Sequence, residues 1–206
     1  MTKRITILQG HPDPRGQHFG NALSDAYAEG ARAAGHEIKR IEVAKLDVPL
    51  LRSSEDFYQG ATPEGILSAQ DAIRWADHVL IVFPLWHGHF PAYLHAFLEQ
   101  MFRPGFSVRI GAEGKPEKLL AGKTARIVVT MGMPAFFYRW YYRAHSLKSL
   151  EHNILRFSGI GPVKTTLIGN LGFGAGANGT VFPPPISTAQ RERWLEKLCA
   201  LGREGR

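Results

Sequence analysis

HVLIVFPLWHGHFPAYLHAFLEQMF, residues 78–102, decides the fold. After His78 the run VLIVF shows no polar alternation, the pattern of a strand buried on both faces inside a parallel sheet. AYLHAFLEQMF (92–102) then repeats its apolar residues at helical spacing. Between them Leu85, Trp86, His87, His89 and Phe90 stand among two prolines and a glycine, where a buried strand reaches solvent. Pro84 stiffens the strand's end, and Gly88 lets backbone approach a ring. Large flat groups at such a place suit the wall of a pocket for a planar ligand.

Outward from this unit, strands and helices alternate. RITILQ (4–9) reads as a first strand, and Phe19, Ala22, Leu23, Ala26, Ala33 and Ala34 mark one face of a helix ending near Gly35. EIKRIEV (37–43) is a more polar strand and belongs at an edge; residues 44–63 are a long connection before a helix over 64–76. The Gly-, Pro- and charge-rich stretch 103–121 reads as an excursion, TARIVVTM (124–131) as a fourth strand, 144–157 as a helix and GPVKTTLIG (161–169) as a fifth strand. A Gly/Pro-rich loop, 172–185, leads to a final helix, TAQRERWLEKLCAL. Repeated βαβ order predicts an α/β three-layer sandwich, a five-stranded parallel sheet of order 2-1-3-4-5 with helices on both faces. Ligands of such folds bind at the carboxyl ends of the strands, where the order reverses.

The 206 residues, 44% of them hydrophobic, are expected to form a single domain with a substantial core. No apolar run reaches the roughly 20 residues that span a bilayer. MTKRITILQG lacks the apolar region of a signal peptide, and the lone Cys199 allows no internal disulfide, so a cytoplasmic protein without membrane insertion is expected. Cys199 recurs with Trp194, Leu195 and Leu198 at helical spacing and reads as core. The net charge of +7 sits in one quarter of the chain: residues 101–150 carry nine Lys/Arg against Glu113 and Glu117. Such a surface suits an anionic ligand, a dinucleotide phosphate for example, as well as it suits a plain solvated face. No zinc-finger spacing or RNA-binding aromatic motif accompanies the charge, so nucleic acid is not expected.

Two motifs are decoys. GAGANG (174–179) matches G-x-G-x-x-G but follows the fifth strand and runs into TVFPPP, which cannot open a helix. GKT (122–124) lacks the glycine of a phosphate loop five residues earlier, where Glu117 stands. His87 and His89 have no identifiable metal-binding partners, and no metal site is predicted.

Three loops at strand ends remain. GHPDPRGQHFGNA (10–22) leads into a helix N-terminus, where backbone N–H groups and the helix dipole attract phosphate and His11, His18 and Asn21 can add hydrogen bonds. The second is PLWHGH. The third, TMGMPAFFYRWYYRAH (130–145), carries six aromatic residues between positions 136 and 142.

ILQGHPDP with FGNAL, then FPLWHGHFPAYLHAFLEQMF, then VTMGMPAFFY followed by His145, resemble the flavodoxin-like NAD(P)H:quinone oxidoreductase family. That family includes mammalian quinone reductases and the bacterial ancillary subunits of glutathione-gated potassium efflux systems. The likeness runs from about residue 4 to residue 170, and its most specific block keeps Pro91, Ala92, Leu94, Phe97, Glu99 and Phe102. It implies a flavodoxin-like fold and a flavin, FAD taken ahead of FMN. His11, His18, Phe19, Gly20, Asn21 and Ala22 match the segment that holds the flavin phosphates. Pro84, Leu85, Trp86, His87 and Gly88 match the segment whose backbone faces the isoalloxazine, and Thr130, Met131, Gly132 and Met133 the glycine-containing loop at its other polar edge. Tyr138 and His145 match the catalytic tyrosine and histidine near the flavin pyrimidine carbonyl. Mammalian-type members carry Gln-Trp-Phe where this chain has Trp86-His87-Gly88, and a second glycine in place of Met133.

The expected activity is a ping-pong, two-electron (hydride) reduction of quinones or similar planar acceptors, with NAD(P)H as donor. A homodimer is expected because residues 91–110 and 133–143 offer more apolar surface than a monomer usually exposes, and because family members build the pocket across a two-fold interface. The alternatives are a flavin-binding regulatory subunit in peripheral contact with a membrane transporter, and a flavodoxin-like electron carrier.

Overall fold

In the computed structural model, which describes residues 1–172 and 186–206, five parallel strands form the sheet that the apolar runs predict. They are β1 (Arg4–Gln9), β2 (Glu37–Glu42), β3 (His78–Pro84), β6 (Thr124–Thr130) and β7 (Val163–Ile168), and the order β2-β1-β3-β6-β7 is the predicted 2-1-3-4-5. β2, the most polar strand, lies at an edge and pairs only with β1, Arg4 opposite Glu37. β3 runs through the middle with alternate residues buried on opposite faces: Val79, Ile81 and Phe83 on one, Leu80 and Val82 on the other. That two-sided burial is why VLIVF shows no alternation.

α1 (Phe19–Ala33) and α7 (Thr188–Arg203) cover one face, with Tyr27, Ala28, Ala31 and Leu198 packed on Ile5, Ile7, Leu80 and Val82. Their backbones touch at two glycines. A Cβ on Gly30 of α1 would lie 2.0 Å from the Cys199 carbonyl oxygen, and one on Gly202 of α7 2.0 Å from that of Tyr27. Cys199 is half-buried at this contact, and Leu198 is the α7 side chain that fills the core. Ser187 starts α7 by accepting from the Gln190 N–H while the Gln190 side chain accepts from the Ser187 N–H. The other face is covered by α3 (Glu64–Trp75), α4 (Ala92–Met101) and α6 (His145–Ser149), which continues as a π-helical stretch over Leu150–Arg156.

Several segments differ from expectation. The excursion holds a two-stranded antiparallel hairpin, β4 (Val108–Ile110) with β5 (Pro116–Lys118). The connection 44–63 contains α2 (Ser54–Tyr58), capped by the Ser53 hydroxyl accepting from the Asp56 N–H. The aromatic run forms α5 (Ala135–Trp140). The predicted loop 172–185, including GAGANG, lies outside the described residues from 173 onward. Arg103, just past α4, is 5% exposed and donates to the carbonyls of Asp56 at 2.6 Å, Phe57 at 2.9 Å, and Gly60 and Ala61. These are carbonyls at and beyond the end of α2; that of Asp56 also accepts from the Gly60 N–H, and Arg103 brings donors to the others. Among the described residues no helix is long and apolar enough to cross a membrane.

Candidate active-site crevice

The hydrogen bonding of β3 to β6 carries on past the strands, the Leu85 N–H donating to Thr130 O at 2.7 Å. Trp86 and His89 then exchange two backbone hydrogen bonds, of 2.8 and 2.9 Å, across a two-residue turn. His87 (φ 50°) and Gly88 (φ 77°) are both left-handed there, the pattern of a type I′ hairpin turn. A Cβ at Gly88 would meet nothing within 4 Å, so the glycine answers to backbone conformation rather than to crowding. The odd composition of PLWHGH is thus a hairpin tip that presents Trp86, 47% exposed, at the mouth of the sheet.

Facing it, the loop after β6 is pinned by three backbone bonds: Met131 N–H to Ile168 O, Leu171 N–H to Met131 O, and Asn170 N–H to Met133 O. Gly169 is needed for this approach, since a Cβ there would come within 2.4 Å of the Ala135 nitrogen. The two walls enclose a crevice of about 710 Å³ at the carboxyl ends of β3, β6 and β7. All nine residues predicted on these walls, Pro84 to Gly88 and Thr130 to Met133, line it. Tyr142, Leu171 and Gly172 complete the lining. These three lie outside the predicted walls, although Tyr142 stands in the aromatic run and Leu171 and Gly172 follow a strand's carboxyl end. The cavity lies over β3 and β6, one strand beyond the reversal of order between β1 and β3.

The loop after β1 stands beside the crevice and does not line it. His11 and His18 stack with ring centroids 3.6 Å apart, and Trp86 meets His11 edge-on at 5.8 Å. His18 sits at the N-cap of α1, but its Nε2 turns to Asp13 at 2.9 Å. The Asp13 N–H donates to His11 Nδ1 at 3.1 Å. Burial, reinforced by His18, pushes His11 down to about 4. His11 is therefore neutral near pH 7, and its proton belongs on Nε2. Hydrogen bonds from Arg15 hold Asp13 far below the usual carboxylate range. Gly20 is buried, its added Cβ 3.5 Å from Val82; Phe19 lies under the Arg191 guanidinium, and Ala22 is half-buried. Asn21 Oδ1 is buried without a partner among the described residues. Asn21 also lines a smaller cavity of about 170 Å³ with Gln9, Asp25 and Arg40.

Tyr138 and His145 part company. Tyr138 is 1% exposed on α5, its hydroxyl 2.8 Å from Ser146 Oγ, which in turn donates to the Gly88 carbonyl at 3.0 Å. His145 opens α6, as expected, and is exposed; neither residue lines the crevice. Ser146, unmarked by any sequence pattern, carries the link to the hairpin wall. Among the described residues no group of three His, Cys, Asp or Glu could hold a metal ion.

The lining fits the flavin that the resemblance implies. A cavity of this size lies within the usual 300–1,000 Å³ for cofactors, and its walls combine apolar side chains and the backbone of Gly88, Gly132 and Gly172 with the polar groups of His87, Thr130 and Tyr142. The buried, unpartnered Asn21 Oδ1 and the Nε2–H of His11 are polar groups next door with hydrogen-bonding capacity to spare.

Parallel order, two helical layers and a crevice at the strand ends define a doubly wound α/β protein. A family described by its flavodoxin-like fold matches residues 3–197, and the chain belongs to that family. It is 26% identical over 155 residues to a ribosyldihydronicotinamide dehydrogenase-like protein of Penicillium crustosum, a match covering 63% of this chain and 57% of that protein's length. Against the uncharacterized NAD(P)H oxidoreductase of Haemophilus influenzae it is 25% identical over 169 residues, covering 80% and 83%. An FMN-dependent NADH:quinone oxidoreductase of Bordetella bronchiseptica is 32% identical over 57 residues, 28% of this chain and 27% of that one. Among solved structures, an NAD(P)H:quinone oxidoreductase from Methanothermobacter marburgensis superposes with a TM-score of 0.75 at 20% identity, covering 99% of this chain and 96% of that one. This last likeness is one of fold.

Proposed function

We propose that the protein is a flavin-dependent oxidoreductase that takes hydride from NAD(P)H and delivers two electrons to a quinone or similar planar acceptor. The observation that carries this reading is the 710 Å³ crevice, built from the two loops that the resemblance places against one planar ring. The names of the Penicillium, Haemophilus and Bordetella relatives support it. The FMN dependence in the Bordetella name favours FMN and corrects the order in which FAD comes first.

A bound flavin supplies the redox chemistry, accepting a hydride and passing it on from one shared pocket. The chain's part is to bind, orient and stabilise charge. Pro84 to Gly88 and Thr130 to Met133 would hold the ring between pinned backbone walls. His11, neutral with its proton on Nε2, and the side-chain N–H of Asn21 would serve the phosphate end, and Asn21 Oδ1 would accept from a hydroxyl. His145 is the proposed donor toward the reduced ring's negative edge; Tyr138, its hydroxyl engaged by Ser146 and Ser146 by the Gly88 carbonyl, would act by holding the hairpin wall in place. Fixed donors at developing charge lower a barrier because they need no reorganisation.

The test is to purify the protein, release any yellow cofactor, identify it by mass, and follow NADH and NADPH oxidation with a quinone present. Protein that binds neither FMN nor FAD after reconstitution overturns the reading. Fast turnover by the isolated protein speaks for an enzyme rather than a transporter's regulatory subunit.

A further inference from the structure

One face of the sheet changes character halfway down. Toward the carboxyl ends Leu80, Val82, Val128 and Ile168 present an apolar surface to α1 and α7. Two residues earlier on the same strands stand His78, Arg126 and Thr166, with Thr124 opposite His78. This polar patch is deeply buried: His78 is 2% exposed, Arg126 7%, and Tyr27 of α1, near enough to Arg126 for the two to interact electrostatically, 0%. His78 Nδ1 lies 2.7 Å from Thr124 Oγ1, and Arg126 Nη1 donates to Thr166 Oγ1 at 2.9 Å.

Three atoms here have no partner among the described residues: Tyr27 OH, His78 Nε2 and Arg126 Nε. Each can donate a hydrogen bond, His78 once the Thr124 hydroxyl donates to Nδ1. No described carboxylate pairs with Arg126, and residues 173–185 contain no Asp or Glu. Lys3 and Lys164 add positive charge toward His78, and Arg206 toward Arg126, with Glu204 the one acid opposing them. A buried guanidinium persists only with compensation. Donors beside a buried cation that no described carboxylate pairs call for a ligand that accepts hydrogen bonds and carries negative charge. Water could accept these bonds but brings no charge to balance Arg126.

We propose that Tyr27, His78 and Arg126 form an internal site for a small monovalent anion of the halide class, at the end of the sheet opposite the crevice. An anion held there ties α1 to β3 and β6 and stabilises the folded chain by mass action. The test compares thermal unfolding of the whole protein in sodium gluconate, chloride and bromide at one ionic strength, with a bromide-soaked crystal beside it. Chloride and bromide should raise Tm saturably over gluconate, on the order of 2–4 °C for a chain of this size. Tyr27→Phe, which keeps the ring's packing, should lose most of that rise, and the crystal should show an anomalous peak within hydrogen-bond distance of Tyr27 OH and Arg126 Nε. Equal Tm in the three salts, a rise undiminished in Tyr27→Phe, or a peak without anomalous signal overturns the proposal.

Discussion

His11 shows how much one buried ring can set. Its ordinary value near 6.5 falls to about 4 in the fold, chiefly through burial. Between those values the unfolded chain binds a proton that the folded chain refuses, so stability is complete above about 6.5 and declines as pH falls toward 4. One group can impose a slope of at most about 1.4 kcal/mol per pH unit. His11→Asn should flatten that part of the acid limb in urea unfolding at stepped pH. The fall set by buried His78, which runs from about 6.5 down to about 3, should remain. The Tyr138–Ser146–Gly88 chain gives a second expectation. Tyr138→Phe leaves the Ser146 bond to Gly88 and should cost about 1 kcal/mol, whereas Ser146→Ala strands a buried hydroxyl and a carbonyl at about 1–3 kcal/mol. If the chain positions the wall, stopped-flow reduction by NADPH should slow roughly tenfold in Ser146→Ala with flavin retained. Rates equal to wild type would leave the chain with a purely structural role. The same measurement on His145→Gln tests whether that exposed ring acts at all.

At the scale of elements, the α1–α7 contact is the tightest joint described. Gly30 and Gly202 each face a carbonyl at a distance no Cβ can occupy, so Gly202→Ala must push the two helices apart. Overpacking of this kind costs about 1–3 kcal/mol, and a chemical-denaturation midpoint unchanged from wild type would show that the joint yields. The main strands and long helices were legible because burial on one or two faces writes a period into the sequence. α2 had a signal that went unread, Ser53 followed by Asp56 three residues on. α5 had none: six aromatics in seven residues blur any helical period. The walls of the crevice were readable because they leave the carboxyl ends of apolar strands. The Tyr138–Ser146–Gly88 link was not, since it joins residues 8 and 58 positions apart and ends on a backbone carbonyl.

Across the whole molecule, the basic quarter is weaker at the surface than in the sequence. Arg103 and Arg126 are buried, so seven of its nine cations face two acids outside, an excess of five rather than seven. NADPH association should still slow with salt, but modestly, because screening shortens to about 8 Å at physiological strength; a salt-independent second-order rate would leave the patch a solvated face. The apolar surface is also narrower than expected. Half of 91–110 is buried and Ile110 is its one well-exposed large apolar side chain, while Phe136, Trp140 and Tyr141 are 66%, 78% and 70% exposed beside the crevice. A second copy of the chain is the proposed cover, and light scattering at micromolar concentration should report twice the chain mass; Trp140→Glu should return it to one. Arg103, finally, bears on how the protein would meet a protease. Its guanidinium gathers the carbonyls of Asp56, Phe57, Gly60 and Ala61, beyond the part of the 44–63 connection that Tyr93 and Gln100 hold at Leu46 and Pro49, and a lysine cannot reproduce that planar fork. In Arg103→Lys the exposed bond after Arg52 should become the first point of tryptic cleavage, so a residue remote from the crevice would govern how long the chain stays in one piece.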